Sequence, residues 1–142
     1  MIRLEHANLH VRHFDDAVRF LKTAFPEFHV RREAVTDGLR WMHIGTDETY
    51  IALNETNIDQ NTGRKPYDGK PGINHLGYEV DDVDALQQRL AAAGFRDSTY
   101  PNSHPHRKRV YFYDADGNDW EFVQYLSDNP LERNDYELPD SG

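Results

Sequence analysis

Cysteine is absent from this chain of 142 residues. A disulfide framework, a thiolate metal site and a cysteine nucleophile are therefore excluded, and any transition metal must take nitrogen and oxygen ligands. Positive charge is also scarce, since 16 lysines and arginines stand against 25 aspartates and glutamates and give a net charge of −9. Because an acidic surface repels phosphates, we expect no nucleic-acid partner.

Long apolar runs are missing too. No segment of the sequence approaches the roughly 18 apolar residues of a membrane span, so we expect no membrane association. Residues 1–3 lead directly into a strand-like segment, from which we expect no signal peptide and a soluble, cytoplasmic protein. With 37% apolar and 12% aromatic residues, residues 1–142 suit a single compact domain with its own core.

The clearest local signal is a hairpin in residues 107–124, RKRVYFYDADGNDWEFVQ. The tetrapeptide DADG at 114–117 has the chemistry of a tight turn, and the flanking Val, Tyr, Phe and Trp residues favour strands. Glu121 is the exception, because a carboxylate between Trp120 and Phe122 must face water, a cation or a metal. We predict that it binds a metal.

The first half of the chain has the pattern of a βαβββ module. Residues 3–11 alternate as a strand, and apolar residues at 17, 20, 21 and 24 form the stripe of a short helix. Asp15 and Asp16 are predicted to cap that helix, and Pro26 to end it. Three further strands are predicted near 28–34, 39–44 and 50–54.

The second half repeats the first after an offset of 69 residues. His6, Val11, Asp15, Leu21 and Ala24 each find the identical residue type 69 positions later. This internal repeat predicts a first module at about 3–55, a polar connector at about 56–71 and a second module at about 72–125. Asp81 and Asp82 are expected to cap the second helix and Gly94 to end it. The acidic tail at about 126–142 is expected to be loosely attached.

Two histidines occupy the same place in the two repeats, His6 and His75. If the first strands of the repeats lie at the centre, both imidazoles enter one trough that Glu121 also reaches. Two imidazoles and a carboxylate on one side of a divalent metal leave positions open for a substrate oxygen. The pair His104 and His106 is instead expected in a solvent loop and not as ligands.

The first strands HANLHV and HLGYEV, the duplicated βαβββ unit and the hairpin YFYDADGNDWEF resemble the vicinal oxygen chelate superfamily. That superfamily includes glyoxalase I, extradiol dioxygenases, fosfomycin-resistance transferases and bleomycin-resistance proteins. The resemblance covers residues 3 to about 125. It implies an α+β fold in which two βαβββ modules form a curved mixed sheet around a central trough.

The resemblance also implies a metal site at His6, His75 and Glu121, with iron, manganese, cobalt, nickel or zinc as the ion. Tyr111 takes the position of an acid–base or hydrogen-bonding tyrosine, whose alternative is a cross-strand aromatic pair. A small-molecule substrate is expected to contact Trp41, His43 and Arg109. The first module's slot for a further ligand falls within residues 50–53, YIAL, and holds no carboxylate.

The expected function is that of a divalent-metal enzyme acting on a small oxygen-bearing substrate. Whether the reaction is of lyase, isomerase, transferase or dioxygenase type stays open, because one fold hosts many chemistries. The alternative is a non-catalytic binding or drug-sequestering protein of the bleomycin-resistance type. A homodimer is expected, since exposed sheet edges favour pairing.

Overall fold

The structure is a computed structural model that describes residues 1–59 and 65–138. Contacts along the chain divide it into two compact units, residues up to 63 and residues from 64 onwards, here called unit one and unit two. No helix within the described residues is long and apolar enough to cross a membrane.

Unit one has the predicted order of elements. They are β1 (His6–Val11), α1 (Phe14–Ala24), β2 (His29–Thr36), β3 (Leu39–Gly45) and β4 (Tyr50–Glu55). The four strands form one mixed sheet in the order β1-β4-β3-β2, in which β1 runs parallel to β4 and the other pairs are antiparallel. The alternation read from residues 6–11 is confirmed, because Ala7, Leu9 and Val11 are less exposed than the residues between them.

Helix α1 buries the apolar stripe that the sequence predicted, and it contacts β4. The helix begins earlier than predicted, because its N-cap residue is His13. The His13 side chain makes no capping hydrogen bond. Asp15 and Asp16 therefore lie inside the first turn. There their carboxylates face the positive end of the helix dipole, which explains why acidic residues suit this position without capping it.

Unit two repeats the same βαβββ order and adds a short final helix. Its elements are β5 (His75–Glu79), α2 (Val83–Ala92), β6 (Arg96–Asp97), β7 (Arg107–Tyr113), β8 (Asp119–Tyr125) and α3 (Pro130–Arg133). The strand order is β5-β8-β7-β6, with β5 parallel to β8. Asp82 caps α2 as predicted, its side chain accepting a hydrogen bond from the backbone N–H of Ala85. Gly94 follows the helix at a φ of 87°, a conformation that glycine adopts readily.

The register of the strands confirms the internal repeat and the α+β class. In unit one His6 pairs with Tyr50, and in unit two His75 pairs with Asp119, 69 positions later in each case. The same offset relates Ala52 to Glu121, which pair with Asn8 and Gly77. The units differ mainly in the edge strand, because β2 has eight residues and β6 has two.

The predicted hairpin is formed by β7 and β8, and its turn is organised by Asp114. The Asp114 side chain accepts hydrogen bonds from the backbone N–H groups of Asp116 at 3.0 Å and Asn118 at 2.9 Å, and from Trp120 Nε1 at 3.1 Å. Gly117 takes a φ of 80°. The resulting register places Tyr111 directly beside Glu121.

The tail does not behave as a loose end over residues 127–138. Arg133, in α3, forms a two-pronged ion pair with Glu79 at 3.2 Å for each contact. The buried Arg107 donates to the backbone carbonyls of Arg133 at 3.1 Å and Asp135 at 3.2 Å. The acidic composition predicted a loosely attached tail, but the buried guanidinium of Arg107 binds backbone carbonyls of the tail. Residues 139–142 lie outside the described part.

Candidate functional site

Two of the three predicted ligands lie together in unit two. His75 Nε2 is 2.9 Å from Glu121 Oε2, and both side chains are partly exposed, at 34% and 16%. Strand alternation explains the meeting, because Glu121 pairs with Gly77, two residues after His75, on the face opposite Trp120 and Phe122. A Cβ atom at Gly77 would lie 3.7 Å from Glu121 Oε2, so glycine leaves the flank of the carboxylate open.

The distance between these two atoms suits a shared metal ion. Nitrogen and oxygen ligands lie about 2.1 Å from such an ion, so two ligands at a right angle are separated by about 3 Å. His75 and Glu121 thus have the spacing of adjacent ligands without further movement. Within residues 1–59 and 65–138, however, no group of three His, Asp or Glu side chains able to hold a metal ion is found.

Arg109 and Tyr111 border the pair from strand β7. Arg109 Nη1 is 3.9 Å from Glu121 Oε1, and the Arg109 side chain is 12% exposed. The ring of Tyr111 meets the imidazole of His75 edge-on, with 5.7 Å between centroids. The four predicted residues of unit two therefore share one face of its sheet, which brings a cation and a phenol next to the candidate ligands.

Tyr111 is buried and pairs with another tyrosine. Its hydroxyl lies 3.1 Å from that of Tyr100, and only 2% of Tyr111 is exposed. Burial raises the pKa of Tyr111 strongly, and the hydrogen bond with Tyr100 and the charge of Glu121 act in the same direction. The neutral phenol is thus the stable form at ordinary pH, which suits a hydrogen-bond donor better than a base.

A tyrosine outside the predicted site completes a chain of hydrogen bonds behind His75. The Tyr67 hydroxyl donates to Asp119 Oδ2 at 2.5 Å and lies 3.0 Å from His75 Nδ1. Asp119 is buried and also accepts from Ser98 Oγ at 2.7 Å. Burial and the bond with Asp119 both raise the pKa of Tyr67, which keeps its proton in place.

The third predicted ligand, His6, lies in unit one among aromatic rings. Its imidazole stacks on Tyr50, with centroids 4.8 Å apart and planes 12° from parallel, and its Nδ1 is 3.0 Å from Glu5 Oε1. His43 also stacks on Tyr50, at 4.7 Å, and Trp41 lies 5.3 Å from His43 with its ring tilted. The predicted substrate residues of unit one are therefore neighbours, and together with His6 and Tyr50 they form what we call the ring ladder.

The pair of histidines in the loop before β7 has a structural role. His104 Nδ1 accepts from the backbone N–H of His106 at 3.1 Å, which leaves Nε2 to donate to the carbonyl of Asp135 at 3.2 Å. Both ring nitrogens of His104 are thus engaged within the protein. The expected solvent loop is therefore wrong at His104, which is buried and whose imidazole binds the C-terminal segment.

Tyr50, Tyr67, Tyr100 and Asp119 were not identified from the sequence. Asp119 had a usable signal, because it lies two residues before Glu121 and therefore on the same strand face. Tyr50 had the corresponding signal through the repeat, 69 positions before Asp119. Tyr67 had none, since it stands alone in a polar connector whose path no periodicity describes.

Known proteins share both the sequence pattern and the fold. A sequence model described as the glyoxalase/bleomycin resistance protein/dioxygenase superfamily matches residues 3–122. Among curated proteins, no sequence matches significantly.

Several solved structures resemble the chain over nearly its whole length. A glyoxylase/bleomycin resistance protein/dioxygenase domain from Frankia sp. EAN1pec is 24% identical, with a TM-score of 0.67 over 88% of this chain and 98% of its own. The fosfomycin resistance protein FosX from Listeria monocytogenes, in complex with Mn(II) and sulfate, is 21% identical, with a TM-score of 0.69 over 94% and 98%. A glyoxalase family protein from Bacillus cereus is 16% identical, with a TM-score of 0.71 over 89% and 96%.

Proposed function

Because this chain belongs to the glyoxalase/bleomycin resistance protein/dioxygenase superfamily, we propose that it is a divalent-metal enzyme acting on a small oxygen-bearing substrate. The ligands proposed are His75 and Glu121, which lie together in unit two, and His6, which is carried over from the sequence prediction. The observation that carries the proposal is the 2.9 Å approach of His75 Nε2 to Glu121 Oε2, on an accessible face of the sheet. A buried ion pair of purely structural value would not leave that flank open.

The donor set selects the class of metal. Imidazole nitrogen and carboxylate oxygen suit Mn, Fe, Co, Ni or Zn, whereas Ca and Mg prefer oxygen alone. The Listeria FosX structure contains Mn(II), which makes manganese the first ion to test. The bound ion supplies Lewis acidity, polarising an oxygen of the substrate.

Four other residues of the predicted site then bind and orient the substrate. Tyr111, held neutral by burial, donates a hydrogen bond to a substrate oxygen or delivers a proton. Arg109 lies beside Glu121 and attracts an anionic group of the substrate. Trp41 and His43 contribute the flat faces of the ring ladder, against which a substrate packs.

Metal analysis of purified protein tests the ligand set. We expect about one ion per site in protein prepared without chelator and loss of that ion in His75→Ala, Glu121→Gln and His6→Ala. His10→Ala is the matched control for His6→Ala, because His10 lies on the same strand and on the same side. Equal metal content in the wild-type protein and His75→Ala would refute the assignment.

The assembly is proposed to be a homodimer. Each unit has a four-stranded mixed sheet with two outer strands, and exposed sheet edges favour association. Sedimentation analysis at several protein concentrations measures the state directly. A monomer at every concentration would remove this part of the proposal.

A second candidate function is metal-independent binding of an aromatic small molecule. Two observations favour it: the ring ladder presents contiguous aromatic surface in unit one, and no three-ligand group is found among the described residues. Calorimetry with catechols, thiols and aromatic drugs, with and without manganese, separates the candidates. Binding that is equal in both conditions and is followed by no turnover would favour sequestration over catalysis.

A further inference from the structure

We propose that Tyr67 is a positioning residue for the metal site, through a relay that runs from Asp119 through the Tyr67 hydroxyl to His75. In this relay the phenol fixes which nitrogen of His75 carries the proton and hence which one faces the metal. The inference rests on the proposed metal site. It adds a residue of the connector to that site.

The direction of the hydrogen bonds follows from counting protons. A phenol has one proton, and the 2.5 Å contact between the Tyr67 hydroxyl and Asp119 Oδ2 requires that proton, because two oxygens without it would repel each other at that distance. The hydroxyl therefore offers a lone pair to His75 Nδ1, 3.0 Å away. Nδ1 must carry a proton to meet it.

Protonation of His75 Nδ1 determines what His75 Nε2 can bind. With Nδ1 protonated and hydrogen-bonded, the 2.9 Å approach of Nε2 to Glu121 Oε2 requires a cation between the two atoms, which is either a proton or a metal ion that takes its place. A hydrogen bond to the outer nitrogen of a metal-binding imidazole also orients the ring and raises its basicity. The relay thus favours the form of His75 that a shared ion requires.

Asp119 is the fixed end of the relay. It is 5% exposed, pairs with His75 across the parallel strands β5 and β8, and receives a second hydrogen bond from Ser98 Oγ at 2.7 Å. A buried carboxylate needs donors, and Tyr67 and Ser98 supply them. The proton of Tyr67 is therefore committed to Asp119 and is not shared with the imidazole.

The backbone of the connector holds Tyr67 in position. Tyr67 has a φ of 62°, a left-handed conformation that is rare for a residue with a large side chain. Its backbone N–H donates to Asn74 Oδ1 at 3.0 Å, and Asp68 accepts from the backbone N–H groups of Lys65 at 2.8 Å and Lys70 at 2.9 Å. A strained conformation secured by several bonds is typical of pre-organised sites.

Zinc binding to the Tyr67→Phe variant tests the relay. We expect the zinc dissociation constant to rise by roughly 10-fold or more, which is the usual effect of losing an outer partner of a metal-binding histidine. Nitrogen-15 NMR of the zinc-loaded protein gives the second readout. The Nδ1–H proton of His75 should be protected from exchange in the wild-type protein and exchange rapidly in the variant.

Two further variants make the result specific. Tyr125→Phe removes a phenol from unit two on the last residue of β8, where the ring lies under Arg133, and should bind zinc as the wild type does. Asp119→Ala removes the fixed end of the relay and should weaken zinc binding as Tyr67→Phe does. Thermal unfolding of each variant identifies any that fails to fold.

The outcomes separate this inference from the proposed function. If the wild-type protein binds neither zinc nor manganese, the proposed metal site and the relay are both refuted. If the wild type binds zinc and Tyr67→Phe binds it within twofold, or keeps a protected Nδ1–H proton, the relay alone is overturned. Tyr67 would then serve only to anchor the connector.

Discussion

Replacing Asp114 should destabilise unit two and, with it, the register that places Glu121. The Asp114 side chain is 8% exposed and accepts four hydrogen bonds, from two backbone N–H groups, from Asn118 Nδ2 at 3.0 Å and from the indole of Trp120. A slip of the hairpin by one residue would turn Glu121 from the open face to the helix face. Asp114 therefore supports both stability and the candidate site.

The magnitude follows from counting these bonds. Each hydrogen bond contributes about 1 kcal/mol net, so Asp114→Ala, which removes all four, should cost about 4 kcal/mol of unfolding free energy. Asp114→Asn keeps one oxygen for the two backbone N–H groups and turns an amide NH₂ toward both Asn118 Nδ2 and Trp120 Nε1, where donor meets donor. Because two bonds are lost in that variant, we expect a cost of about 2 kcal/mol.

Urea unfolding followed by Trp120 fluorescence measures the effect in unit two. In a Trp41→Phe background the remaining indole is the one that donates to Asp114. Asp37→Asn is the matched control, since Asp37 lies in the exposed β2–β3 turn of unit one at a φ of 53°, which asparagine tolerates. A loss of less than about 1 kcal/mol in Asp114→Ala would refute the reasoning.

The pH dependence of this prediction has a definite sign. Burial raises the pKa of Asp114 above its ordinary value of 3.8, although the hydrogen bonds from Asn118 and Trp120 act against this shift. The folded protein therefore takes up the proton at a higher pH than the unfolded chain does. Its contribution to stability grows as the pH falls from the folded pKa toward 3.8. The stability advantage of the wild type over Asp114→Asn should therefore widen on acidification, and a narrowing would contradict the assignment.

Two further changes probe the flank of the site and the tail. Gly77→Ala should fold and raise the free energy of unfolding by about 0.5–1 kcal/mol, because alanine loses less backbone entropy than glycine in a strand. The added Cβ would lie 3.7 Å from Glu121 Oε2, which is an ordinary contact. A fall in melting temperature would show that the Cβ does not fit. Arg107→Ala should speed amide hydrogen exchange in residues 130–138 by about 10-fold or more, because two charge-assisted bonds are lost. Lys108→Ala, which breaks only an exposed ion pair, is the control and should leave that exchange unchanged.

Periodicity in the sequence was sufficient to predict the βαβββ order of both units, but not the short helix α3. Apolar stripes predicted α1 and α2, alternation predicted β1 and β5, and the DADG turn predicted the hairpin of β7 and β8. The 69-residue offset added what local patterns lack, because it implied that both halves pair their strands in the same way. These features are predictable because they depend on burial of side chains at regular spacing.

The tail and Tyr67 could not be predicted for a common physical reason. The tail is held through its backbone carbonyls by Arg107 and His104, and every residue type offers such a carbonyl. Tyr67 depends on a left-handed backbone and on a side-chain bond to Asn74, neither of which has a period. Contacts made through the backbone or through single polar residues leave no regular trace in a sequence.

The two units carry different polar side chains on the same strand order and register. On the helix-facing side, equivalent positions stay apolar because each core requires it, so the repeat survives there. On the opposite face the core imposes no such demand, and equivalent positions have diverged. Ala52 stands where the second unit has Glu121, and Tyr50 where it has Asp119.

This divergence explains the asymmetry of the candidate site. Unit two combines an imidazole with a carboxylate and a relay, which suits an ion, whereas unit one surrounds its imidazole with Tyr50 and His43, which suits a flat organic surface. His6 and His75 are the identical residues at equivalent positions on the open faces of the two sheets. Each unit thus places an imidazole at the same register position and surrounds it with different side chains, so the two open faces differ in the ligands they suit.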